Sequence, residues 1–118
     1  MDTTKLFELI FLYKYFLFKE KYMTFENCYI VLWCDNDGWL EYSDEFTCDE
    51  NELLAEVRKF IEQSGDFFEN MFVYINNEDE CFQYCVKNRN DSVKKCIDKA
   101  MKSIAEQIKK YVDEQENN

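Results

Sequence analysis

Two stretches of this chain follow one plan. Residues 29–42 read YIVLWCDNDGWLEY, residues 71–84 read MFVYINNEDECFQY, and they align without a gap at an offset of 42. Val31 then matches Val73, Asp37 matches Asp79 and Tyr42 matches Tyr84, three identities in 14 positions. Each stretch is an apolar run, a cluster of Asn and Asp, and a second run of alternating character, which is the pattern of a β-hairpin. The chain has two glycines and no proline, so its turns fall to Asn and Asp. The first turn, Asp35-Asn36-Asp37-Gly38, holds the Asp-Gly pair that hairpins favour where φ must be positive. The second, around Asn76-Asn77-Glu78-Asp79, lacks glycine and reads as a longer loop.

A helical pattern follows each hairpin. Thr47 or Asp49 can cap the first helix, with Glu50 or Glu52 as the capping-box partner. Leu53, Leu54, Val57, Phe60 and Ile61 form its apolar stripe, and Ser64-Gly65 stops it. Asn90 or Asp91 caps the second, where Val93, Ile97, Ala100, Met101, Ile104 and Ile108 recur at helical spacing. The two stripes superpose at an offset of 40.

Upstream, roughly from Thr3 to Tyr22, apolar residues occupy nearly every helical face. The strand Cys28–Cys34 is also apolar on both faces and needs cover on both sides, which such a helix could supply. The run Leu6–Phe18 is broken by Glu8 and Lys14, lacks a small-residue cleavage site, and falls short of the roughly 20 residues of a membrane span. Lys19-Glu20 could be encoded as a strong bacterial ribosome-binding sequence, so translation starting at Met23 is an alternative. The expected fold is α+β, a single domain over 1–118. It comprises an N-terminal hydrophobic helix (1–24), two ββα units (27–65 and 71–112) and a frayed tail (113–118). The two units together make a four-stranded, mainly antiparallel sheet with helices packed on it.

Charge is distributed unevenly. The chain carries 25 acids against 14 bases, a net charge of −11. Residues 35–80 alone hold 15 acids against Arg58 and Lys59, net −13, whereas residues 1–22 are net +1 and residues 81–118 net +2. Like charges at that density destabilise the compact state, and the field they create suits a cationic target. The expected partner-binding residues are Asp35, Asp37, Trp39, Glu41, Asp44, Glu45, Asp49, Glu52, Glu56 and Glu62. Trp39 is read as an outward aromatic anchor, since Trp dominates interface energetics. On the second strand Leu40, Tyr42 and Phe46 are placed on one face, and Glu41, Ser43 and Glu45 on the other.

Other chemistries find little support. Histidine is absent, which removes Ser-His and Cys-His nucleophile pairs and the usual proton shuttle near neutral pH. Asp35-x-Asp37-Gly38 resembles a calcium loop only loosely, because Trp33 stands where an acid is needed. Cys28 and Cys34 are six apart and only Cys81 with Cys85 approaches the spacing of a closed zinc site, so the thiols read as core packing, reduced in a cytoplasmic protein. No catalytic residue, metal or cofactor is therefore expected. Direct nucleic-acid binding is not expected either, because lysines and acids alternate along the C-terminal helix. Twelve Lys to two Arg and ten Asn fit an AT-rich genome, such as a low-GC bacterium, phage or plasmid. The expectation is a small acidic, non-enzymatic inhibitor that occludes the nucleic-acid site of a basic nucleic-acid-binding protein or nuclease, of the anti-CRISPR, anti-restriction or nuclease-immunity type. The alternative is a homodimer or other homo-oligomeric module, with no membrane role in either case.

Overall fold

The computed structural model describes residues 5, 6, 8–10 and 23–116. The order is β1 (Thr24–Cys34), β2 (Trp39–Tyr42), β3 (Phe46–Asp49), α1 (Glu50–Ser64), β4 (Asn70–Ile75), β5 (Glu80–Cys85) and α2 (Val93–Glu116). The architecture is α+β, with five strand segments in one open antiparallel sheet of order β2-β1-β4-β5, and β3 paired with β1. The return strand of the first hairpin is thus broken in two, unlike the four continuous strands expected. The register is the same at both ends, with Val31 opposite Tyr42 and Thr24 opposite Asp49. It slips between Phe25 and Cys28, where Asn27 adopts a φ of 50°. A bulge of this kind adds a residue and turns the strand, so Phe25 and Cys28 both face the core.

The first turn leaves Cys34 directly opposite Trp39, and the second leaves Ile75 opposite Glu80. Both turns are therefore four residues long, and the second is not the longer loop expected. Asn76, Asn77 and Glu78 take φ values of 52°, 57° and 70°, the left-handed conformation that Asn tolerates better than most residues. Asn76 is also anchored across the sheet: its N–H donates to the Glu26 carbonyl (2.7 Å) and its Oδ1 accepts from the Glu26 N–H (2.9 Å). By their turns the hairpins superpose at 41 residues, one fewer than the sequence alignment gives. A slip of one residue exchanges the two faces of a strand. The 42-residue match of Val31 with Val73 accordingly pairs residues on opposite sides of the sheet.

Both helices lie on one face. Phe25, Cys28, Ile30 and Leu32 of β1 join Met71, Val73 and Ile75 of β4 and Phe82 of β5 in one core with Leu53, Val57 and Ile61 of α1. Cys96, Ala100, Ile104, Ile108 and Val112 of α2 complete it. These buried rows superpose at 43 residues rather than 40, and Val93 is exposed. Asp49 caps α1, accepting from the Glu52 N–H at 2.8 Å, and Gly65 at φ 65° closes it. The cap of α2 is Ser92, whose Oγ accepts from the Lys95 N–H at 3.2 Å, not Asn90 or Asp91. The Asp91 carboxylate bonds Lys99 (2.7 Å) and Lys95 (3.5 Å) instead. Helix α2 runs on to Glu116, so the tail expected from residue 113 is helical there. Tyr111 holds that end, tilted on Phe25 (6.3 Å) and edge-on to Phe82 (5.8 Å).

The other face of the sheet carries no helix among the described residues. It presents Tyr29, Val31 and Trp33 of β1 beside Leu40 and Tyr42 of β2. Asn70, Phe72 and Tyr74 of β4 follow, then Cys81, Gln83 and Cys85 of β5. Tyr29 stacks on Tyr74 at 4.7 Å, and its hydroxyl donates to Glu78. Most of the expected N-terminal helix lies outside the described residues. Residues 5, 6 and 8–10 are helical, with Leu6, Leu9 and Ile10 exposed, and the chain is already strand at Thr24.

The outer edge of β5 is capped at its middle by a side chain. Gln107 of α2 accepts the Gln83 N–H (3.0 Å) and donates to the Gln83 carbonyl (2.8 Å), occupying both edge-facing groups of that residue.

Candidate protein-binding edge

The ten expected site residues follow β2, β3 and α1, and the structure divides them. Asp35 and Asp37 sit in the first turn, at one end of β1, while Asp49 pairs with Thr24 at the other. The 11-residue strand places them about 33 Å apart at roughly 3.3 Å per residue. The turn carboxylates are engaged locally. Asp37 Oδ1 accepts from Arg89 Nη2 at 3.2 Å, and Arg89 Nη1 lies 3.9 Å from Glu69. Glu69 Oε1 also accepts from the Cys34 thiol (3.2 Å) and the Asn36 N–H (3.1 Å), bonds that hold its carboxyl below the ordinary range. Cys34 in turn donates to Asp37 Oδ2 at 3.4 Å. This is a structural clasp.

Trp39 is not an outward anchor. Because it pairs directly with buried Cys34, it shares that residue's inner face and packs half-buried against the core. Glu41 lies on the same side, and the alternation sends Leu40 and Tyr42 to the helix-free face. The faces of β2 are therefore the reverse of those expected.

Asp44, Glu45 and Glu56 converge. With Lys59 they rim a groove of about 300 Å³ between the β2–β3 link and α1, and Phe46 and Phe60 also line it. Glu52 lies one turn before Glu56 on the same flank of the helix. Its carboxyl is raised above the ordinary range, first by its hydrogen bond and repulsion with Asp49, with Glu56 adding to it. At the N-terminus of α1, Glu50 is raised by burial, then by Glu116, Asp113 and Asp49. Glu62 lies on the other flank of α1, paired with Arg58 at 3.4 Å. Of the nine carboxylates expected at the site, only Asp37 and Glu62 lie within ion-pair distance of a cation among the described residues. Glu41, Asp44, Glu45, Glu52 and Glu56, with the capping Asp49, form an unneutralised edge.

The cysteines separate as well. Cys28 and Cys34 are buried under the helices, whereas Cys81 and Cys85 lie on the opposite face of the sheet, so the four cannot share a metal ion. Among the described residues no cluster of three or more His, Cys, Asp or Glu is placed to hold one. Burial raises the Cys28, Cys34, Cys81 and Cys96 thiols and pushes Cys48 up to about 12, leaving them poor nucleophiles. Among the described residues no helix is long and apolar enough to cross a membrane. The apolar character of β1 on both sides was the sequence signal of this aromatic face, and the N-terminal helix expected to cover a face of the sheet lies mostly outside the described residues. No family model matches this chain, and neither a curated protein nor a solved structure shows significant similarity to it.

Proposed function

We propose that this is a non-enzymatic, cytoplasmic acidic protein that captures a basic partner through the edge formed by β2, the β2–β3 link and the adjoining flank of α1. The partner class is a protein that handles nucleic acid, and covering its cationic site inhibits it, in the manner of anti-CRISPR, anti-restriction or nuclease-immunity proteins. One observation carries the reading: Asp44, Glu45, Glu52 and Glu56 gather on one side of a packed scaffold without cationic partners, apart from Lys59 nearby. Carboxylates left unpaired at this spacing oppose folding, and they steer and hold a complementary cationic surface. The lack of histidine and the raised thiols support a binding role over catalysis.

The test is affinity capture from the native host or its phage-infected cells, with bound proteins identified by mass spectrometry at low and high salt. The wild-type chain captures a basic nucleic-acid-binding protein, and that complex weakens with salt as screening predicts. Reversing Asp44, Glu45, Glu52 and Glu56 to Lys preserves the circular dichroism spectrum and abolishes capture. Equal capture by the folded variant refutes the proposal.

A further inference from the structure

We infer that the helix-free face of the sheet is the seam of a reversible, two-fold symmetric homodimer, in which Trp33, Leu40, Tyr42, Phe72 and Tyr74 pack against the same face of a second copy. One third of the chain's residues are Asp, Glu, Lys or Arg, yet none of the eleven positions named above for this face is; Glu26, exposed earlier on β1, and Glu78, bonded to Tyr29, stand at one end of it. Trp33, Leu40 and Tyr42 are 40%, 51% and 62% exposed. A contiguous aromatic surface left open in this way marks an interaction site.

The charge of the molecule selects the occupant. Two copies at −11 each repel, and a two-fold contact sets each residue near the axis against its own twin. A carboxylate on such a seam would meet a carboxylate. A contact centred on Trp33, Leu40, Tyr42 and Phe72, away from Glu26 and Glu78, avoids this, whereas a strongly cationic partner finds its complement on the acidic edge instead. Size sets the strength. Four strands about 4.8 Å apart and roughly 20 Å long give a flat area of about 400 Å² per copy. The relief of the side chains adds to this, and the total falls at the low end of specific interfaces, where association is transient.

The experiment is sedimentation of the full chain from about 5 to about 500 μM, spanning the range of a weak interface. The weight-average mass of the wild type rises from 14.4 kDa towards twice that value. Leu40→Glu with Tyr42→Glu, and Tyr42→Lys alone, remain folded by circular dichroism and stay at 14.4 kDa throughout. The dimer tightens with added salt, because screening weakens repulsion between like-charged copies. This is opposite to the response expected of capture by the acidic edge, so the two readings fail separately. A wild type monomeric throughout, a folded Tyr42→Lys variant that dimerises like the wild type, or a dimer that weakens with salt overturns the inference.

Discussion

Replacing Gln107 by Glu tests whether one side chain caps the edge of the sheet. Gln107 both accepts from and donates to the Gln83 backbone, and its Nε2 also reaches Ser103 Oγ at 3.0 Å. Glutamate has the same length and still accepts the Gln83 N–H. Its second oxygen faces the Gln83 carbonyl, an acceptor against an acceptor. Losing one net hydrogen bond of about 1 kcal/mol and adding that repulsion sums to about 1.5 kcal/mol at neutral pH. For a domain of this size that lowers Tm by roughly 5–10 °C. Protonation reverses it, because the carboxylic acid donates to the carbonyl as the amide did. The introduced carboxyl therefore has a raised value in the folded protein, so the loss is full at pH 7 and disappears as pH falls towards its unfolded value of about 4.3. Gln107→Ala separates the local from the global effect. Three lost bonds of about 1 kcal/mol each, two to Gln83 and one to Ser103, are partly offset by regained side-chain entropy of about 1.5 kcal/mol and a slightly better helix former. Global stability then falls by only about 1 kcal/mol, while the Gln83 amide loses its protection from hydrogen exchange. Urea unfolding at pH 7 and pH 4, with exchange followed by NMR, reads both. If Gln107→Glu is equally stable at pH 7 and the Gln83 amide of Gln107→Ala exchanges at the wild-type rate, the edge is not capped by this residue.

Gly65→Ala meets no atom within 4 Å, so only its φ of 65° matters, and urea unfolding should show a loss of about 1 kcal/mol. Asp49→Ala removes the N-cap of α1 and lowers stability by about 1 kcal/mol in the same assay. Lys99 and Lys95 hold Asp91 below its ordinary value of 3.8, so its contribution is complete above that pH and is lost as pH falls through the depressed value. Asp91→Asn should flatten that acid limb of the unfolding curve. Under native conditions a thiol reagent should label exposed Cys85 first and Cys28, Cys48 and Cys96 only on unfolding, as mass spectrometry of the peptides would show.

The elements were legible in the sequence where periodicity and caps agreed. The stripe of Leu53, Val57 and Ile61 between Asp49 and Gly65 gave α1 almost residue by residue. What was hidden depended on pairing across the chain. Trp39 faces inward because a four-residue turn sets it opposite Cys34, and turn length is not written in Asp-Gly alone. The second turn closes equally tightly without glycine because Glu26, far away in sequence, anchors Asn76. Asp91 had the right composition for a cap, but two lysines one and two turns along α2 claimed it. The acidic edge was visible as a charge excess over residues 35–80. Its division by Arg89 and Arg58 into neutralised and unneutralised parts required the fold.

The central position of β1 has a consequence during synthesis. Its first edge is satisfied by β2 and β3 as soon as residue 49 leaves the ribosome, but its second edge waits for β4 and for the Glu26–Asn76 link. For those further residues the nascent chain carries an apolar strand with an open row of amides, so the interval before Ile75 emerges is when it is most exposed to wrong partners or to a chaperone.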